Sequence, residues 1–360
     1  MRRLLIASLI VAALVLALGL GLAGCGTASQ SASSSGDQTP AGILAAAMDA
    51  SSNITSANAN FDLSVSFDVD KSKLPAGESA FMTQPMKVSG QLAFASQPQA
   101  VDLTVDASLA GQALNVGMKM VGTKAYLALG GKWYETPAQM TQMLGSSSSQ
   151  TANADEMRKT LSDLGIEPAT WMKDVTLVGE ETVDGVAVYH LEATPDLTAI
   201  VNDVFKLMQS KQFSGLMGQA SAAAGAGSTA ETLPSLQSLG SLQTQLPEMF
   251  RNLKAGVWVA KDSMNVVKTT VEAQIVPPAG QDSGGVNAIT LSLTLAMKDI
   301  NKPVSVTAPA SAESWDALQK ALEADPSLLG PLGSLGGAAL GSTSLGGAGL
   351  DTTSTSTSTN

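Results

Sequence analysis

The chain has very little of what catalytic and cross-linked proteins commonly use. Its 360 residues include one cysteine, Cys25, and one histidine, His190. A lone cysteine excludes an internal disulfide, and a lone histidine excludes a metal site built on two histidines. The sequence also lacks a Gly-x-Ser-x-Gly nucleophile elbow, a phosphate-binding loop and a dinucleotide glycine fingerprint. We therefore predict no catalytic residues, no metal and no dissociable cofactor, and we interpret His190 as a structural residue of a strand.

Basic residues and aromatic rings are also scarce. Lys and Arg number 20 against 31 Asp and Glu, for a net charge of −11, and the 14 aromatic residues are outnumbered by 15 methionines. An acidic chain repels nucleic acid and anionic headgroups, so we predict no nucleic-acid partner. The methionines supply flexible, unbranched apolar side chains that can adapt to an irregular partner.

The N-terminus has the order of an export signal. Arg2 and Arg3 precede a 20-residue apolar run from Leu4 to Ala23, which is also long enough to span a bilayer as a signal anchor. The following order, Leu22-Ala23-Gly24-Cys25, resembles the bacterial lipobox, in which the cysteine thiol receives a diacylglyceryl group and becomes the mature N-terminus. We therefore predict a signal peptide over residues 1–24 and an acylated Cys25. The anchor would hold the protein at the extracytoplasmic side of the cell membrane.

Composition divides the rest of the chain into one domain and three low-complexity segments. Residues 25–40 are rich in Ser, Thr, Gln, Gly and Ala and are predicted to be a flexible tether. Residues 214–245 and 325–360 have a similar composition, so we predict a low-complexity insertion and a disordered tail. The remainder of 41–324 is long enough for a single domain, which we expect to be monomeric.

Alternation of apolar and polar residues dominates that domain. Phe61, Leu63, Val65 and Phe67 are separated by polar residues, which is typical of a strand with one buried face. The same pattern predicts strands around Met86–Phe94, Val101–Leu109, Leu114–Met120 and Ile289–Met297, with weaker ones at Ala125–Leu129, Val175–Gly179, Val186–Ala193, Val257–Ala260 and Val266–Ile275. About ten antiparallel strands fit either one large curved sheet or a two-sheet sandwich.

Helical segments favour the curved sheet. A short helix is predicted from Gly42 to about Asn53, and further helices at Pro137–Leu144, Ala154–Leu164, Pro168–Lys173, Leu197–Met208 and Ala312–Leu322. Helices gathered on the apolar face of an antiparallel sheet make an α+β fold. We expect Phe61, Leu63, Val65 and Phe67 to share that face with Leu291, Leu293 and Leu295.

The order of these elements resembles a known family. A lipobox, a tether, a short helix and a run of alternating strands are followed by the hairpin Gly179–Glu192 and a strand that contains Val257-Trp258-Val259. This order is similar to that of the LppX/LprG/LprA/LprF group of actinobacterial lipoproteins and, more distantly, of the lipoprotein carrier LolA. The resemblance implies a strongly curved antiparallel half-barrel whose concave face is covered by helices. It also implies a cavity that holds the acyl chains of a lipid, glycolipid or acylated protein.

Three functions are compatible with this sequence. The first is lipid binding or transfer, for which the predicted lining residues are Phe94, Leu103, Met118, Met120, Leu291 and Leu293. The second is a non-enzymatic envelope scaffold or interaction lipoprotein, in which the same residues form a closed, dry core. The third is a sensor or chaperone for other exported lipoproteins. Extraction of bound lipid separates the first function from the second.

Overall fold

The computed structural model describes residues 39–51, 53–74, 82–109, 112–138, 140–141, 154–210, 248–277, 285–325 and residue 328. The predicted signal peptide, Cys25, the tether up to residue 38 and the insertion 214–245 lie outside these ranges. So do the tail from residue 326, except for Leu328, and half of the predicted helix Pro137–Leu144. Among the described residues, no helix is long and apolar enough to cross a membrane.

The described residues form one sheet with four α-helices. The helices are α1 (Pro40–Ser51), α2 (Ala154–Asp163), α3 (Leu197–Met208) and α4 (Trp315–Ala324), with two short 3-10 turns at Lys71–Lys73 and Pro168–Trp171. The strands are β1 (Ser56–Val69), β2 (Met86–Ser96), β3 (Gln99–Leu109), β4 (Gln112–Val121), β5 (Lys124–Leu129), β6 (Lys132–Glu135), β7 (Met172–Val183), β8 (Val186–Pro195), β9 (Phe250–Ala260), β10 (Val266–Ile275), β11 (Val286–Lys298) and β12 (Glu313–Ser314).

The strand order is β12-β6-β5-β4-β3-β2-β1-β11-β10-β9-β8-β7. Every pair is antiparallel except β12 with β6. The end strands β12 and β7 are not neighbours, so the sheet is open. The prediction of one large antiparallel sheet in an α+β fold is confirmed, and the two-sheet sandwich is wrong.

The apolar face is the one that the alternation predicted. In the β1–β11 pair, Phe61 lies opposite Leu295, Leu63 opposite Leu293, and Val65 opposite Leu291. Directly opposed residues of an antiparallel pair point to the same side of the sheet. The expected common face of β1 and β11 is therefore confirmed.

The main differences from the sequence expectations concern short elements. The sheet has twelve strands rather than about ten, because β6 and the two-residue β12 have too few residues to show a period. The helix predicted at Pro168–Lys173 is a single 3-10 turn that ends at Trp171, and Met172 already begins β7. The last helix begins at Trp315 rather than at Ala312, because the Ser314 hydroxyl caps it by accepting a hydrogen bond from the Ala317 N–H at 3.3 Å.

Candidate functional site

Helix α1 closes one part of the apolar face. It contacts β7, β9 and β10 and buries Ile43, Leu44, Ala47 and Met48. These side chains form the first cluster together with buried residues of seven strands: Val65, Met86, Met172, Leu191, Ala193, Ala255, Val257, Val259, Val271, Leu291 and Leu293. This part of the face is a closed core.

Helix α4 closes a second part, near the opposite end of the sheet. Its Leu318 is 2% exposed and packs with Leu114, Leu129 and Tyr134 in the second cluster. Trp315 and Leu328 lie against the same cluster and are half-buried. The register from β6 through β4 to β1 places this cluster on the same face as the first.

A group of half-buried apolar side chains lies between these two clusters and belongs to neither. We call it the central patch; it consists of Phe61, Val88, Leu92, Phe94, Val101, Leu103, Val105 and Met118. Its residues are direct cross-strand neighbours: Leu92 lies opposite Leu103, and Leu103 opposite Met118. The patch extends about 20 Å along β2 and about 14 Å across β1–β4, from a rise of about 3.3 Å per residue and a strand spacing of about 4.8 Å.

The six residues predicted to line a cavity all lie on the apolar face, but they do not form one site. Phe94, Leu103 and Met118 belong to the central patch. Met120 is 4% exposed beside the patch, opposite Val101. Leu291 and Leu293 are 8% and 9% exposed in the first cluster, two strands beyond β2.

Sequence reasoning did not assign the other members of the central patch to the site. Phe61 and Val88 were recognised as apolar strand residues, but the same alternation continues through every strand and does not indicate which helix covers which part. The distinguishing signal in the sequence is Gly90, which interrupts the apolar positions of β2. Gly90 lies opposite Phe61, and a β-carbon at residue 90 would overlap the Phe61 ring.

The opposite face of the sheet carries a cross-strand stack around Trp258. His190 and Lys268 are the register partners of Trp258 on β8 and β10. The His190 ring stacks on the indole with centroids 4.1 Å apart, and the Lys268 ammonium lies 4.4 Å from its centroid. Glu181 completes the stack, because its carboxylate accepts a hydrogen bond from Trp258 Nε1 at 3.0 Å and lies 2.8 Å from His190 Nδ1. These bonds lower the pKa of Glu181. The structural interpretation of His190 agrees with this arrangement.

Helix α3 contacts the Pro168–Trp171 turn, and polar bonds join its residues to that turn and to β7. The buried carboxylate of Asp203 accepts a hydrogen bond from Trp171 Nε1 at 2.8 Å and pairs with Lys206 at 2.7 Å. Asp196 caps the helix by accepting from the N–H groups of residues 198 and 199, and it pairs with Lys173 at 2.5 Å. Burial raises the pKa of Asp196, but the Lys173 pair and the capping bonds outweigh it, so the net pKa is lowered.

Other features of the described residues offer little for binding or catalysis. A groove of about 570 Å³ lies by the Gly130–Gly131 turn, and polar side chains of Lys87, Ser89, Asp106 and Asn115 contribute to its lining. It is separate from the central patch. Within the described ranges, no group of His, Cys, Asp and Glu has the arrangement of a metal site.

No protein-family model matches the chain, and no curated protein matches its sequence. Its fold is similar to that of the lipoprotein LppX of Mycobacterium tuberculosis, with 14% identity, a TM-score of 0.33 and coverage of 76% of this chain and 100% of LppX. LprF of Mycobacterium bovis gives 14% identity, a TM-score of 0.33 and coverage of 76% and 97%. The MucA/MucB complex of Pseudomonas aeruginosa gives 13% identity, a TM-score of 0.24 and coverage of 78% and 60%. LppX and LprF belong to the group that the element order resembles. At these scores the likeness says nothing about ligand or activity.

Proposed function

We propose that the protein is a cell-envelope lipoprotein that binds an acyl chain on the central patch. The ligand would be a lipid, a glycolipid or an acylated protein, and the protein would bind or transfer it without catalysing a reaction. The single observation that carries this proposal is the division of the apolar face. Two parts of it are closed by α1 and α4, while the eight side chains between them stay half-buried.

The size and chemistry of the central patch suit an acyl chain. The patch runs about 20 Å along the strands, and one leaflet of a bilayer, the length of one acyl chain, is about 15 Å thick. Each methylene that leaves water contributes about 0.8 kcal/mol, so a chain lying on the patch gains binding energy along its whole length. Met118 and Leu103 lie side by side there, and the flexible thioether can adjust to the chain.

The anchor would keep this surface close to lipid. Cys25 precedes the first residue of α1, Pro40, by 15 positions. An extended tether of that length reaches about 50 Å at most. Two or more acyl chains on one terminus give stable membrane attachment, so a monomer anchored in this way would exchange lipid with the membrane that holds it.

The test compares lipid bound to wild type with lipid bound to two matched variants. The full-length protein is purified from a membrane fraction, extracted with organic solvent, and the non-covalent lipid is identified by mass spectrometry. Met118→Glu should stay folded, because its carboxylate can reach water at the half-buried patch, and it should lose the lipid. Leu293→Glu places the same group in the first cluster, where an unpaired charge is severely unfavourable, so it should lose its fold by circular dichroism.

The closed part of the apolar face favours a second candidate, the non-enzymatic envelope scaffold. Leu291 and Leu293 pack in the first cluster, together with side chains of α1, as an ordinary dry core would. If wild type carries no lipid and Met118→Glu unfolds like Leu293→Glu, the whole apolar face is a core and the scaffold function takes the place of lipid binding.

A further inference from the structure

We infer that Phe61 is a specificity-determining residue of the central patch, and that it restricts the ligand to straight, unbranched acyl chains. This inference rests on the proposed lipid-binding function and deepens it. Its basis is the contact between the Phe61 ring on β1 and Gly90, its direct partner on β2.

Gly90 allows the Phe61 ring to lie across β2. A β-carbon at residue 90 would overlap the ring and also the backbone oxygen of Thr104 on β3, so any larger residue would displace both. A glycine in a strand interior costs stability unless a close approach requires it, and here the Phe61 ring and the Thr104 backbone oxygen are the groups that approach. The aromatic ring therefore occupies the space where the other strand residues carry their own side chains.

The position of the ring makes it part of the binding surface. Val88 and Leu92 flank Gly90 on the same face of β2, two residues before and two residues after it. A chain that follows β2 between these two residues must cross the Phe61 ring. Phe61 is half-buried, so part of the ring remains available for contact.

The Phe61 ring fills the space beside Gly90, so this part of the surface has no depression there. A straight chain can stay in contact with a filled surface at every methylene, whereas methyl branches would lift the chain away from it. Without the ring, the bare glycine would leave a depression about the size of a side chain. Methyl branches could enter that depression, and the selectivity would be relaxed or reversed.

The experiment measures competition between straight and branched chains. Full-length protein is reconstituted in phosphatidylcholine vesicles with a photoreactive analogue of palmitic acid. Unlabelled palmitic acid and phytanic acid, which carries methyl branches on the same backbone, then compete for labelling. The readout is the ratio of the two concentrations that halve the labelling.

Palmitic acid should compete better than phytanic acid for wild type. In Phe61→Ala, phytanic acid should compete better relative to palmitic acid than it does in wild type. The ratio of the two concentrations should change by about fourfold for each methyl group that enters the depression, because each buried group contributes about 0.8 kcal/mol. Phe61→Leu should move it in the same direction and keeps the inference testable if the alanine variant does not fold. The matched control is Phe67→Ala, on the same strand and face but packed against the first cluster, which should leave the ratio unchanged.

The possible failures are distinguishable. Two results would contradict the specificity role of Phe61 and leave lipid binding in place, provided that wild type is labelled. In the first, the ratio is the same in the Phe61 and Phe67 variants. In the second, both acids lose affinity equally in the Phe61 variants. If wild type shows no labelling that unlabelled palmitic acid can compete away, lipid binding and the role of Phe61 are both wrong.

Discussion

Replacing Ile43 with alanine should test whether α1 is a fixed cover of the first cluster. Ile43 is 1% exposed, and α1 has only 12 residues, a length at which an isolated helix is marginal in water. The helix therefore depends on its packing. Removing the buried atoms of an isoleucine and leaving a cavity costs about 2–5 kcal/mol. With Ile43 almost fully enclosed, we expect a value in the upper half of that range.

The assay is urea unfolding followed by circular dichroism on the purified protein, with two controls on the same helix. Ile43→Val removes a single methylene and should cost about 0.5–1.5 kcal/mol. Ala46→Ser lies on the exposed side of α1 and should change stability by no more than about 0.5 kcal/mol. If Ile43→Ala costs no more than Ala46→Ser, then α1 does not close the first cluster, and the distinction between closed and half-buried parts of the apolar face is refuted.

Three further predictions concern separate parts of the molecule. Cys25→Ala should leave an uncleaved precursor that incorporates no labelled fatty acid; normal processing and labelling would contradict the lipobox. Because the pKa of Glu181 is lowered in the fold, its charge stabilises the protein above the ordinary carboxyl pKa, and this contribution is lost as the pH falls toward the folded pKa. The urea midpoint of wild type should therefore fall more than that of Glu181→Gln between about pH 7 and pH 4; equal falls would contradict this. Trp171→Phe removes the indole donor from the buried Asp203 and should cost about 1–3 kcal/mol in urea unfolding, whereas an unchanged midpoint would mean that this bond does not hold α3.

The strand pattern of the sequence predicts which residues share a face, but not which strands are neighbours. The period of two places Leu63 and Leu293 on apolar faces, and the register brings them directly opposite each other although 230 positions separate them. That pairing depends on how the whole chain folds back, which no local pattern contains. Strand β6 was missed for a related reason: its four residues are too few to establish a period, and pairing with β5 makes it a strand.

The candidate site shows the same limit. Met118 and Leu293 lie in equivalent alternating sequences, and both were predicted to line the cavity. The structure places Leu293 in the first cluster, which α1 helps to close, and Met118 outside both clusters. Which helix lies over which strand follows from tertiary packing, so the sequence could identify the apolar face but could not divide it. Gly90 was visible as an interruption of that face, but its contact with Phe61 requires the register of β1 and β2.

The dimensions of the sheet explain why part of the apolar face stays half-buried. Twelve strands have eleven spacings, which makes the sheet about 53 Å wide at about 4.8 Å per spacing. A helix with its side chains is about 10 Å across, so α1 and α4 together cover less than half of that width. The main described contact of helix α3 is with the Pro168–Trp171 turn. The two covering helices lie toward the two ends of the sheet, over β7–β10 and beside β6, so the width that they leave falls on the strands between. The central patch on β1–β4 lies in that interval, and there an acyl chain would complete the burial that the described helices do not supply.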